Sequence, residues 1–96
     1  MPVLPFQDKV IVVIGAAGGI GAALCRLLAA EGARLMLGGR DAGRLQALAD
    51  ELGSEATAAP VDATDSSAVQ QFFAAAKSRH GQVDGVVNCA GSILLK

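Results

Sequence analysis

A β-branched run, Val10-Ile11-Val12-Val13-Ile14, passes directly into Gly15-Ala16-Ala17-Gly18-Gly19-Ile20-Gly21-Ala22. β-branched side chains favour a strand, and a run that is apolar on both faces favours a buried one. From Gly19 to Glu31 the apolar residues Ile20, Ala23, Leu24, Leu27 and Leu28 recur at helical spacing. A buried strand that turns on glycine into a helix is the geometry of a dinucleotide pyrophosphate site. The helix N-terminus there offers unpaired N–H groups and the positive end of its dipole to an anion.

The same alternation continues along the chain. Gly32 stops the first helix, and Arg34–Gly38 reads as a second strand. Asp41 is placed to cap a second helix with Leu45, Leu48 and Leu52 on one face, ended by Gly53. Glu55–Val61 reads as a third strand. Asp65 caps a third helix whose Val69, Phe72, Phe73 and Ala76 face inward, and Gly81 closes it. Lys77, Arg79 and His80 fall in its last turn, where cations complement the helix dipole. Val83–Val87 is a fourth strand. Right-handed crossovers then predict an α/β fold, a Rossmann-type three-layer sandwich with a partial parallel sheet in the order 3-2-1-4.

Composition fits close packing of helices on such a sheet. Of the 96 residues 52% are hydrophobic but only 3% aromatic, so the apolar mass is Ala, Val, Leu and Ile. A net charge of −1 leaves no footprint for nucleic acid or an anionic membrane. The apolar run of the first strand is far short of the ~20 residues of a membrane span, and the residues before it do not form a signal peptide. Cys25 and Cys89 match no metal spacing and read as reduced thiols of a cytoplasmic protein, Cys25 being a packing residue.

The glycine spacing separates two kinds of turn. The common Gly-x-Gly-x-x-Gly pattern is not met, since counting from Gly19 its third glycine would fall at Leu24. The pattern is Gly15-x-x-x-Gly19-x-Gly21. Gly15 lets the chain turn off the strand. Gly19 and Gly21 let backbone N–H groups approach a diphosphate without a Cβ between, and Ala16, Ala17 and Gly18 are small. This spacing, with Ile20 between the last two glycines, resembles the short-chain dehydrogenase/reductase family. Asn88-Cys89-Ala90-Gly91 resembles the family's Asn-Asn-Ala-Gly segment, and Val61-Asp62-Ala63-Thr64 and Gly81-Gln82-Val83-Asp84 also resemble family segments. The resemblance spans Lys9 to Gly91, with motif order and spacing preserved. It implies that Asp62, beside Ala63, meets the adenine amino group. It also implies that Asn88, Ala90 and Gly91 pass close to the cofactor ribose. Two positions depart: Ile14 stands where the family usually has Thr, so the turn is expected to be held by packing, and Cys89 replaces the second Asn.

The end of the second strand bears on which dinucleotide is taken. A free 2′-hydroxyl is normally held there by an acid, about 20 residues past the turn. Gly39 occupies that position and Arg40 follows. Gly39 leaves room for a 2′-phosphate and Arg40 supplies a guanidinium suited to it. In the family, a basic residue at this point goes with NADP. The alternative is that Asp41 takes the acid role and NAD binds.

The resemblance also says what is expected to lie elsewhere. In the family, hydride transfer between nicotinamide and a carbonyl or alcohol uses a tyrosine, a lysine four residues later and a serine, all beyond the fifth strand. The sequence contains no tyrosine, and Ser92 and Lys96 do not match those positions. His80 reads as a helix-end residue and Asp50-Glu51 as a solvated face. No catalytic residue and no metal ligand is therefore assigned. The chain is expected to be residues 1–96 of one incomplete domain, the N-terminal cofactor-binding part of an NADP-dependent oxidoreductase, inactive alone. The small-molecule substrate and the homo-oligomer contacts would depend on the remainder, and the fourth strand would be an exposed edge. The competing expectation is a nucleotide-binding module without oxidoreductase activity. A methyltransferase-like fold would prefer an acid where Gly39-Arg40 stands.

Overall fold

A computed structural model describes residues 6–53, 56–62 and 64–89 of the chain. The described residues form seven alternating elements: β1 (Val10–Ile14), α1 (Gly19–Ala30), β2 (Arg34–Gly39), α2 (Ala42–Leu52), β3 (Ala56–Pro60), α3 (Ser66–His80) and β4 (Gly85–Asn88). The strands make one sheet in the order β3-β2-β1-β4, with every pairing parallel. Val12 is the partner of Met36 on one side and Val86 on the other. This is the expected α/β order 3-2-1-4.

Alternation along β1 builds both faces of the core. Ile11 and Val13 join Leu35 and Leu37 of β2 beneath α1 and α2, against Cys25, Leu28, Leu45 and Leu48. Val12, Ile14 and Met36 face α3, where Phe72 and Ala76 cover them. A strand apolar on both faces is what a parallel sheet between two helical layers requires. Gly38 completes the fit on the α3 side: a Cβ there would lie 2.7 Å from both Phe72 Cζ and Val61 Cγ1.

Asp41 and Asp65 cap α2 and α3 as expected, accepting from the Arg44 and Ala68 N–H groups. The inward face of α1 differs from the stripe of apolar residues read from spacing. Gly21, Cys25 and Leu28 are buried, whereas Ile20 and Leu27 are exposed. Gly21 has no side chain to hold the helix off the turn, so the closest line of approach runs through it and one and two turns onward. Glu51, expected on a solvated face, remains exposed but accepts two hydrogen bonds from Arg26 and ties α2 to α1.

Strand limits also shift. β4 begins at Gly85 rather than Val83 because Asp84 works through its side chain. Its carboxylate accepts the Val10 N–H at 2.8 Å while its own N–H donates to the Val10 carbonyl at 2.8 Å. The Val10 N–H holds the Asp84 carboxyl below its usual pKa. β3 ends at Pro60, and the following Val61 N–H returns to the Gly39 carbonyl at 2.8 Å.

Candidate functional site

β1 lies at the point where the chain reverses direction across the sheet, with β2 and β3 to one side and β4 to the other. In open α/β sheets, ligands bind outside the carboxyl ends of strands at such a point. A cavity of about 540 Å³ opens there. Ile14 and Gly15 line it from the end of β1, Ala17 and Gly18 from the turn, and Gly39, Arg40, Asp41 and Arg44 from the β2–α2 junction. Val61, Asp62 and Thr64 follow β3, and Asn88 ends β4. Its size is that of a small-molecule site.

The glycine turn is built by backbone contacts. Gly15 adopts φ 80°, a conformation that side chains disfavour. Its N–H and that of Ala16 both donate to the Gly38 carbonyl, at 2.7 and 3.1 Å, which pins the turn to β2. A Cβ on Gly21 would overlap the Gly15 carbonyl oxygen and stand 3.0 Å from Ala16 Cα. Glycine at 21 is thus required by the packing of turn on helix, not by open space for a ligand. Gly19 is the opposite case, with nothing within 4 Å of its Cβ position. Unlike α2 and α3, α1 has no side-chain cap: Gly18 precedes it and no acid lies in its first turn. Its first N–H groups are left to a ligand or water.

At the far side of the cavity the charges are arranged around Asp62. Its Oδ1 accepts from the Thr64 hydroxyl at 2.7 Å and the Thr64 N–H at 2.9 Å. The Arg40 guanidinium reaches the same oxygen at 3.3 Å. The Thr64 hydroxyl, then the Thr64 N–H, and lastly Arg40 hold the Asp62 carboxyl down to about 2. Asp41 has one oxygen committed to the Arg44 N–H at 3.0 Å as the α2 cap.

Seven of the residues expected to bind the cofactor meet at this cavity, Gly15, Ala17, Gly18, Gly39, Arg40, Asp62 and Asn88, and Asp41, the alternative acid, lines it as well. Gly19, Ile20 and Gly21 form the adjoining first turn of α1 but do not line it. Ala63, Ala90 and Gly91 lie outside the described residues. Arg44 was not among the candidates. Its signal was available, since it follows Arg40 by four residues and sits in the first turn of a helix opened by Asp41.

The chain matches the family described as short chain dehydrogenase over residues 9–95. It belongs to that family. An uncharacterized oxidoreductase of Staphylococcus aureus is 40% identical over 88 residues, covering 91% of this chain and 38% of its own length. Among solved structures, a metagenomic short-chain oxidoreductase in complex with NADP matches with TM-score 0.84 and 39% identity, over 91% of this chain and 41% of that one. A 3-ketoacyl-(acyl-carrier-protein) reductase from Brucella melitensis complexed with NADH matches with TM-score 0.80 and 30% identity, over 83% of this chain and 33% of that one. The chain thus spans well under half the length of these relatives.

Both departures from the family pattern have a structural counterpart. Ile14, in the usual Thr position, is buried in the α3-side cluster, and its carbonyl accepts the Cys89 N–H at 2.7 Å. The turn there is held by packing and backbone bonds. Cys89 is half-buried and near Cys25, whose thiol is pushed up to about 11, chiefly by burial and then by Cys89. Among the described residues no group of His, Cys, Asp and Glu could hold a metal ion, and no helix is long and apolar enough to cross a membrane.

Proposed function

We propose that this chain is the N-terminal, cofactor-binding part of an NADP-dependent oxidoreductase acting on a carbonyl or alcohol substrate. One observation carries the reading. A single cavity joins the glycine turn below the uncapped N-terminus of α1 to the Gly39-Arg40 end of β2. The first arrangement suits a diphosphate and the second an adenosine ribose bearing a 2′-phosphate.

The roles follow from position. Gly15, Ala17, Gly18, Gly19 and Ile20 offer backbone to the diphosphate, and Gly21 keeps α1 seated on the turn. Gly39 makes room beside the ribose, and Arg40 with Arg44 supplies positive charge for the 2′-phosphate. By family likeness Asp62 and Ala63 lie at the adenine, while Asn88, Ala90 and Gly91 pass the other ribose. When bound, the cofactor's nicotinamide supplies the hydride exchanged with the substrate carbon. The chain's own residues bind and orient. The sequence holds no tyrosine, so the proton-transfer group of the family's chemistry is assigned to no residue here. A cytoplasmic, homo-oligomeric whole protein belongs to the same reading.

NADP is favoured over NAD by charge: Gly39 has no side chain to accept from a 2′-hydroxyl, and Asp41 is engaged as a helix cap. Calorimetric titration with NADPH and NADH tests this. NADPH should bind the more tightly, and Arg40→Gln should remove most of the difference. Equal affinity for both would refute the preference. The second reading, a module that binds nucleotide without catalysis, rests on the missing tyrosine. NADPH oxidation against a panel of aldehydes and ketones by the whole protein would exclude it.

A further inference from the structure

Asp62 presents one oxygen, Oδ1, to three donors: the Thr64 hydroxyl at 2.7 Å, the Thr64 N–H at 2.9 Å and Arg40 Nη2 at 3.3 Å. The two Thr64 bonds close within the same loop and fix the carboxylate where it stands. Arg40 comes from the end of the neighbouring strand β2, 22 residues away in the chain. The guanidinium is thus paired with a carboxylate already anchored by its own loop. Arg44 lines the same cavity and carries no ion pair among the described residues.

We infer that Asp62 is a specificity-determining residue that acts through Arg40, holding its guanidinium at the adjoining ends of β2 and β3 and so restraining the response to a 2′-phosphate. The inference rests on the reading above, in which the cavity receives an adenosine ribose. A 2′-phosphate arriving at Gly39 must draw Arg40 off Asp62 or settle beside a fixed negative charge. Arg44 also lines the cavity and is under neither constraint. The net gain from Arg40 is what remains after its pair with Asp62 is given up. A ligand with a free 2′-hydroxyl leaves that pair intact. Discrimination between the two ligands is therefore set by the pair and not by Arg40 alone. The effect is modest, because the Arg40 and Asp62 side chains are 73% and 49% exposed.

The test uses adenosine 2′,5′-bisphosphate and adenosine 5′-monophosphate, which differ only by the 2′-phosphate. Any adenine contact of Asp62 cancels in the ratio of their dissociation constants. Both are titrated by amide NMR into the full chain and into Asp62→Asn, Asp62→Ser, Arg40→Gln and the two double variants. Asp62→Ser keeps an acceptor for the Thr64 N–H, so loss of the loop is not mistaken for loss of the pair. Preference for the bisphosphate should rise about three- to fivefold in both single Asp62 variants, and by less than about 1.5-fold when Arg40 is already Gln. No rise, or an equal rise in both backgrounds, overturns the inference while Arg40→Gln still lowers the preference. A ratio near one that Arg40→Gln leaves unchanged overturns the underlying reading with it.

Discussion

The Cα of Gly21 lies so close to the Gly15 carbonyl that a Cβ would overlap its oxygen. The first residue of the turn and a residue in the first turn of the helix are thereby locked face to face. Gly21→Ala must open the turn or tilt α1. It should destabilise the fold by about 1–3 kcal/mol, the usual cost of forcing atoms into a packed site. Urea unfolding of the two proteins measures it, and an unchanged midpoint would show that the turn has slack.

A similar contact on the opposite face tests the α3 layer. Gly38→Ala brings a methyl group to 2.7 Å from Phe72 Cζ and Val61 Cγ1. The expected loss is again about 1–3 kcal/mol. Phe72→Leu should cost stability alone yet relieve part of the Gly38→Ala penalty. A double-mutant cycle on thermal unfolding reads this coupling, and strict additivity would contradict the contact.

Element order and sheet order were legible because short apolar runs alternate with helical segments that are opened by the glycine turn, Asp41 or Asp65 and closed by Gly32, Gly53 or Gly81. The inward face of α1 was not. Nearly every residue from Ile20 to Ala30 is apolar, Arg26 excepted. Spacing therefore cannot choose a stripe, and the choice falls to the residue with no side chain, Gly21. The charge network was hidden for a different reason. Arg40 and Asp62 follow different strands, and nothing in their spacing says that β2 and β3 bring them to one oxygen. Asp84 likewise reads as a strand residue until its carboxylate is seen on the Val10 N–H.

The Asp62 carboxyl should titrate near 2, well below its usual 3.8. A depressed folded-state pKa contributes stability that is present above 3.8 and lost as pH falls through about 2. Carboxyl-carbon NMR follows the titration directly. Thr64→Val removes the largest cause, the hydroxyl hydrogen bond, and should raise the midpoint toward the ordinary value. An unmoved midpoint would assign the shift elsewhere.

The two cysteines should differ in reactivity. Cys25 is fully buried with its thiol pushed up to about 11, and Cys89 is half-buried. The thiolate is the reacting species, so at pH 8 Cys25 offers almost none. Iodoacetamide followed by peptide mass spectrometry should find Cys89 modified first and Cys25 modified only after unfolding. Equal labelling of the native chain would mean that α1 leaves the sheet readily.

The central claim is that the cavity at the carboxyl ends of the strands receives a phosphorylated dinucleotide over α1. Backbone amide NMR during titration with NADPH tests it most directly. Saturable shifts should concentrate at Gly15, Gly18, Gly19 and Ile20, and again at Arg40, Arg44 and Asp62. The opposite end of the sheet, at Asp8, Gln82 and Asp84, should stay unperturbed. Shifts centred on that opposite end, or none that saturate, would contradict the account.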